Sequence, residues 1–89
     1  MAFEYDPDKS RSNKKKHGID FEEAQRLWAD GNLVEYRVKV MSEVRYVVIG
    51  MIEDKHWTTV VTYREDNIRI ISVRRSREKE IKGYESRGI

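Results

Sequence analysis

Between Val34 and Val73 the chain offers four strand-like runs, joined by connections too short for anything but antiparallel neighbours. Val34, Tyr36, Val38 and Val40 alternate with Glu35, Arg37 and Lys39, the period-2 pattern of a strand with one wet face. Val44 to Ile52 is almost wholly apolar, as a central strand would be. Trp57 to Tyr63 is rich in Thr and Val, and Ile68 to Val73 is rich in Ile and Val. Turns near Met41-Ser42-Glu43, Glu53-Asp54-Lys55 and Glu65-Asp66-Asn67 separate them. The expectation is an antiparallel meander of four strands.

Helical segments flank the meander. After Phe3-Glu4-Tyr5, which alternates like a short edge strand, comes DPDKSRSNKKKHG, residues 6 to 18, with no Val, Ile, Leu, Met or aromatic residue. Asp6 reads as an N-cap, Pro7 as the first helical residue and Gly18 as the left-handed stop, so the helix should run to Lys16 or His17. With no apolar stripe, it should be held by its ends, through Phe3 and Tyr5 before it and Ile19 and Phe21 after. A second helix should open with a capping box, Asp20 and Glu23, and bury Phe21, Ala24, Leu27 and Trp28 before stopping at Asp30-Gly31-Asn32. A third, from a Ser76 cap through Arg77 to about Glu85, has Ile81 and Tyr84 to pack. The expected class is α+β, one domain over residues 1–89, with helices covering one face of a four-stranded antiparallel sheet.

Composition narrows the class of function. Charged residues make up 38% of the chain while the net charge is only +2, so the order-forming middle is not that of a disordered polyelectrolyte. The charge is unevenly placed. Residues 21 to 63 carry five basic and seven acidic side chains, whereas residues 64 to 89 carry eight basic and five acidic. With Lys14-Lys15-Lys16, that asymmetry points to a polyanionic partner. There is no cysteine, no long apolar segment and no secretory leader, which favours a cytoplasmic protein without a membrane partner. Two histidines thirty-nine residues apart give no metal-ligand spacing, and there is no glycine-rich phosphate loop; no metal or cofactor is expected.

The order of FEYDPDKSRSNKKKHGIDFEEA at the start, SEVR at Ser42 to Arg45, TYR at Thr62 to Arg64, RIISVRR at Arg69 to Arg75 and YE at Tyr84-Glu85 resembles the BrnT family over nearly the whole chain. These are toxins of bacterial type II toxin–antitoxin pairs. The chain departs from the family pattern at Tyr5, Ser76, Ile81 and Gly83. The resemblance implies a RelE-like ribonuclease fold and metal-independent cleavage of RNA that inhibits translation. It also implies a BrnA-like, DNA-binding antitoxin, which neutralises the toxin and brings it indirectly to promoter DNA for joint repression.

Such cleavage needs a base for the ribose 2′-OH, cations for the pentavalent phosphorane and an acid for the departing 5′-oxygen. Arg64 and Arg74 are the expected phosphate stabilisers, since Arg binds phosphate bidentately and keeps its proton. They end successive antiparallel strands and so lie at opposite ends; each alone reads equally as a solvated strand-end residue. His17 is the expected titrating group; it shares a helix face with Asn13 and Lys16, the three expected to hold a phosphate or a base edge of RNA together, or else it is a C-terminal capping cation. Tyr84 is a proton donor or stacking ring, or the packing anchor of its helix. Arg69, Arg75, Arg77 and Lys79 are assigned to backbone attraction. His56 reads as an exposed turn residue, and Glu43 and Arg45 as a pair across a hairpin. The alternatives are a non-catalytic basic module that binds RNA or a protein partner, and a small protein whose helices mediate oligomerisation.

Overall fold

A computed structural model describes residues 2–86. It contains β1 (Ala2–Glu4), α1 (Pro7–His17), a 3₁₀ helix (Glu23–Ala29), β2 (Val34–Val40), β3 (Glu43–Ile52), β4 (Lys55–Arg64), β5 (Asn67–Arg75) and α2 (Glu78–Ser86). The expected meander is β2 to β5, each strand antiparallel to the next. The sheet, however, has five strands in the order β1-β5-β4-β3-β2, and β1 lies parallel to β5 with Phe3 beside Ile68. The four-stranded antiparallel expectation is therefore corrected to a mixed sheet. The short Phe3-Glu4-Tyr5 pattern joins the sheet beside β5, and the parallel pair is connected by the long path through α1, the 3₁₀ helix and the first three strands of the meander.

The three hairpins close on Val40/Glu43, Ile52/Lys55 and Arg64/Asn67, leaving two-residue loops. The first loop residue is left-handed in each: Met41 at φ 59°, Glu53 at φ 58° and Glu65 at φ 55°. Such loops match the strand twist but favour Gly or Asn there. Replacing Glu65 with Gly is expected to raise stability by about 0.5–1 kcal/mol by removing a Cβ clash, readable as a higher melting temperature.

One face of the sheet carries the main core. Ile19, Phe21, Ala24 and Leu27 pack on Val48, Val61, Ile68, Ile70 and Val73. Phe3 meets Trp28, and Tyr5 meets Phe21, edge to face with ring centroids 4.9 and 5.7 Å apart. The register of β5 shifts opposite Val60/Val61, so Ile71 is an extra residue. This bulge lets both Ile70 and Val73 face inward, a pattern that strict alternation forbids. Gly50 is closely packed: a Cβ there would lie 2.8 Å from Leu33 Cδ1, and that side chain would have to shift.

The capping expectations hold for α1 and for Asp20, but Ser76 does not cap α2, which begins at Glu78; its Oγ lies 2.8 Å from Thr58 Oγ1 instead. Asp6 accepts from Asp8 N–H at 2.8 Å, and Gly18 adopts φ 80°. Asp20 and Glu23 exchange hydrogen bonds reciprocally, at 2.7 and 3.0 Å. The expectation that α1 is held by its ends is corrected. Its inward face is polar, with Ser10 and Asn13 both buried. Ser10 Oγ accepts from Phe21 N–H at 2.9 Å. The Asn13 amide donates to Ile19 O and Val73 O, both at 2.8 Å, and its oxygen accepts from Val73 N–H at 3.4 Å. Beyond the short β1, Asn13 thus partners β5's edge as a neighbouring strand would.

Candidate nucleic-acid interface

The helices do not share one face. α1 and the 3₁₀ helix cover the core face, whereas α2 packs on the other, where its side chains meet His56, Thr58 and Arg74. The strand registers define that outer face in rows. Arg74, Thr58, Ile49 and Val34 lie abreast, then Ser72, Val60, Val47 and Tyr36; beyond them Arg69 pairs with Thr62, and Arg45 with Val38, on the same face. Arg64 follows at the end of β4. α2 covers the first row, and Ile49 there is only 2% exposed. Farther along, Tyr36 is 44% exposed and the Arg64 side chain 65%. Arg45, Arg64 and Arg69 therefore stand on a surface that α2 leaves largely open, with Arg74 at the margin where α2 begins to cover it.

Arg64 and Arg74 do share a face, but the register separates them by six residues of β4, or roughly 20 Å. They do not grip one phosphate; Arg69 lies between them. Arg64 Nη1 and Arg69 Nη1 approach Glu4 Oε1 at 3.8 and 3.5 Å, so one carboxylate on β1 holds both. Arg45 Nε bonds Glu43 Oε1 at 3.2 Å. That pair runs along β3, two residues apart, and not across the hairpin.

Arg74 makes a bidentate pair with Glu80, both bonds at 2.8 Å. Thr58 Oγ1 and Arg77 N–H also donate to Glu80 Oε1, at 3.1 and 2.7 Å. The Arg74 guanidinium, with these donors, holds the Glu80 carboxyl down to about 2 from its ordinary 4.5. Arg74 stays charged throughout, so the linkage falls on Glu80. Its stabilising contribution is complete above about pH 4.5 and is lost as pH falls toward 2, about 3 kcal/mol at most. Acid unfolding followed by circular dichroism should show this loss, and Glu80→Gln should flatten that limb.

His17 is half-buried at the end of α1. With Lys9, Ser12 and Lys16 it lines a groove of about 240 Å³ whose other wall is Ile71 and Ser72 of β5. The bulge residue Ile71 therefore floors the groove, and Ser72 joins it to the second row of the arginine face. Asn13 forms the inner end, but its amide is committed to the backbone of Ile19 and Val73. Arg75 points to the core face, its guanidinium 5.5 Å from the Trp57 ring centre. Arg77 and Lys79 are exposed at the start of α2.

Tyr84 is 7% exposed, and its hydroxyl donates to Asp30 Oδ2 at 2.7 Å. It lines a cleft of about 460 Å³ with Arg26, Asn32 and Glu53, away from the His17 groove. Asp30, read only as a helix stop, also accepts from Met51 N–H at 2.8 Å and so ties the 3₁₀ helix, β3 and α2 together. His56 is not an exposed turn residue, because β4 begins at Lys55 and turns His56 toward α2. Its ring stands edge to face on Tyr84, centroids 5.2 Å apart, and Nε2 lies 2.7 Å from Glu85 Oε2. It is thus a second titratable group on the face of Arg74.

Among the described residues, no group of three or more His, Asp or Glu side chains could hold a metal ion, and no helix is long and apolar enough to cross a membrane. No curated protein matches the chain in sequence. A family model described as the ribonuclease toxin BrnT of type II toxin–antitoxin systems matches residues 5–80, from Tyr5 just before α1 to the carboxylate that holds Arg74. An arginine face on a small α+β scaffold, spanned almost end to end by that match, places the chain in the BrnT family of ribonuclease toxins.

Proposed function

We propose that the chain is a metal-independent endoribonuclease whose substrate RNA lies across the outer face of the sheet. The reading rests on one observation: Arg45, Arg64 and Arg69 share the part of the outer face that α2 leaves open, and Arg74 lies at its covered margin, held by Glu80 of α2. Successive phosphates of a single strand are spaced widely enough for these arginines to track a backbone rather than clamp one group. Exposed Tyr36 adds a ring on which a base can stack.

In the proposed reaction the ribose 2′-oxygen attacks the adjacent phosphorus and the 5′-oxygen departs, leaving a 2′,3′-cyclic phosphate. His17, at the groove that opens beside Ser72, takes or returns the proton. Arg74 stabilises the phosphorane, and Arg69, Lys16, Arg77 and Lys79 add attraction to flanking phosphates. Tyr84 acts by anchoring α2, and so by holding Glu80 against Arg74. In this reading the fold is RelE-like, and RNA cleavage inhibits translation. A BrnA-like, DNA-binding antitoxin neutralises the toxin, and the pair represses its own promoter.

His56 offers a second reading of the proton-transfer group, since it lies on β4 two residues from Thr58, the partner of Arg74 in the register. Incubating purified protein with RNA in EDTA tests the activity, and His17→Ala against His56→Ala tests the assignment. Loss of about a hundredfold or more is expected for His17→Ala, with His56→Ala affecting mainly stability. The opposite pattern would transfer the role to His56.

A further inference from the structure

The two edges of the sheet are treated differently. At one edge β1 extends β5, and Asn13 partners the backbone beyond it. At the other, β2 lies outermost over seven residues, with no proline and a regular register against β3. Natural sheets blunt such an edge or use it. Exposed apolar side chains line the outer side of this one: Tyr36, Val40 at 50% and, in the adjoining loop, Met41 at 94%.

The sequence of β2, VEYRVKV, is self-complementary when reversed about Arg37. An antiparallel second copy centred there sets Glu35 opposite Lys39 on both sides of the dyad, Val34 opposite Val40, and Tyr36 opposite Val38. The backbone agrees. The two-residue hairpin makes Val40/Glu43 a hydrogen-bonded pair, so Val38, Tyr36 and Val34 also bond toward β3. Glu35, Arg37 and Lys39 therefore turn their N–H and C=O groups to the open edge, the residues this register needs. Arg37 meets its own copy at the dyad, an unfavourable contact, but each guanidinium lies diagonal to the other copy's Glu35. Sliding two residues toward Val40 would set Arg37 against Lys39, and sliding toward Val34 would leave Val40 uncovered.

We propose that β2 is a homodimerisation edge, pairing antiparallel with β2 of a second copy about Arg37. The dyad then stands perpendicular to the sheet, and the closing of both open edges removes the only long unpaired strand among the described residues. Both arginine faces lie on one side of the joined sheet, so a single polyanion can cross from one copy to the other. The inference stands independently of RNA cleavage.

Sedimentation velocity of the full chain over a concentration series tests it. A monomer–dimer equilibrium is expected, weakened about tenfold by Lys39→Glu, which turns both cross-dyad pairs into like charges. The double variant Glu35→Lys with Lys39→Glu restores the opposite pairing and should restore the dimer. Arg37→Pro removes an edge N–H and should give a monomer whose melting curve is near that of the parent. A chain that stays monomeric at every concentration overturns the proposal and leaves the edge to a different partner strand. A dimer indifferent to Lys39→Glu, or a folded double variant that stays monomeric, overturns it as well.

Discussion

Replacing Asn13 with Ala is expected to lower the unfolding free energy by about 2–4 kcal/mol, the largest stability loss of any single polar substitution in this fold. The amide carries three bonds to buried backbone, two as donor to Ile19 O and Val73 O and one as acceptor from Val73 N–H. Alanine leaves those groups without partners, in a site closed by Phe21 and β5, and a buried unpaired group costs more than its bond contributes. Asn13→Asp tests the polarity of the argument. The carboxylate can accept from Val73 N–H through one oxygen but turns its other oxygen to two carbonyls, so it should be at least as harmful at neutral pH. Urea unfolding gives the free energy, and an unchanged m value would confirm that stability alone moved. If both variants cost less than about 0.5 kcal/mol, α1 is not held by this residue.

Replacing Arg74 with Ala is expected to slow RNA cleavage by about a hundred- to a thousandfold, the scale for removing a donor aimed at developing charge. The Arg74–Glu80 pair makes this substitution structural as well, because Glu80 would keep only Thr58 and Arg77 as donors. Arg74→Lys separates the two roles. Lysine retains a charge beside Glu80 but cannot form the planar bidentate contact, so the fold should persist while the rate falls. The Arg74 side chain is 28% exposed, which leaves its open side to a phosphate while Glu80 fixes its orientation. A normal rate in a folded Arg74→Ala protein would remove Arg74 from the reaction.

Local signals carried much of the fold. The caps of α1, the capping box at Asp20 and Glu23, and the four runs of the meander all depend on neighbours in the chain, and each is found in place. What the sequence hid depends on distant partners. Nothing in FEY distinguishes a strand paired parallel to β5 from a free one, because its partner is the last strand of the sheet, reached only after the whole meander. Asn13 carries the signature of a solvated helix position, and only its meeting with Val73, sixty residues on, makes it a buried edge partner. The bulge at Ile71 has no local mark, yet it decides that Ser72 and Arg74 face outward while Val73 faces the core.

The candidate site was legible in its residue types and not in its grouping. Arg64, Arg69 and Arg74 fall on one face, whereas Arg75 turns to Trp57 and Tyr84 is buried under α2. Arg45 was set aside as a hairpin charge because its cross-strand neighbour, Val38, is known only from the register. His56 was misplaced by one position: a turn ending at Lys55 reads as though it included the next residue, but that residue already belongs to β4.

The face that performs the chemistry can be tested by comparing two single substitutions in one assay. RNA cleavage in EDTA would be measured for Arg69→Ala, on the outer face, and for Arg75→Ala, on the core face, with folding checked for each. Arg69→Ala is expected to slow cleavage by about tenfold or more, while Arg75→Ala changes it by less than about threefold at moderate salt. Equal losses, or a larger loss for Arg75→Ala in a folded protein, would contradict an active surface on the outer face of the sheet.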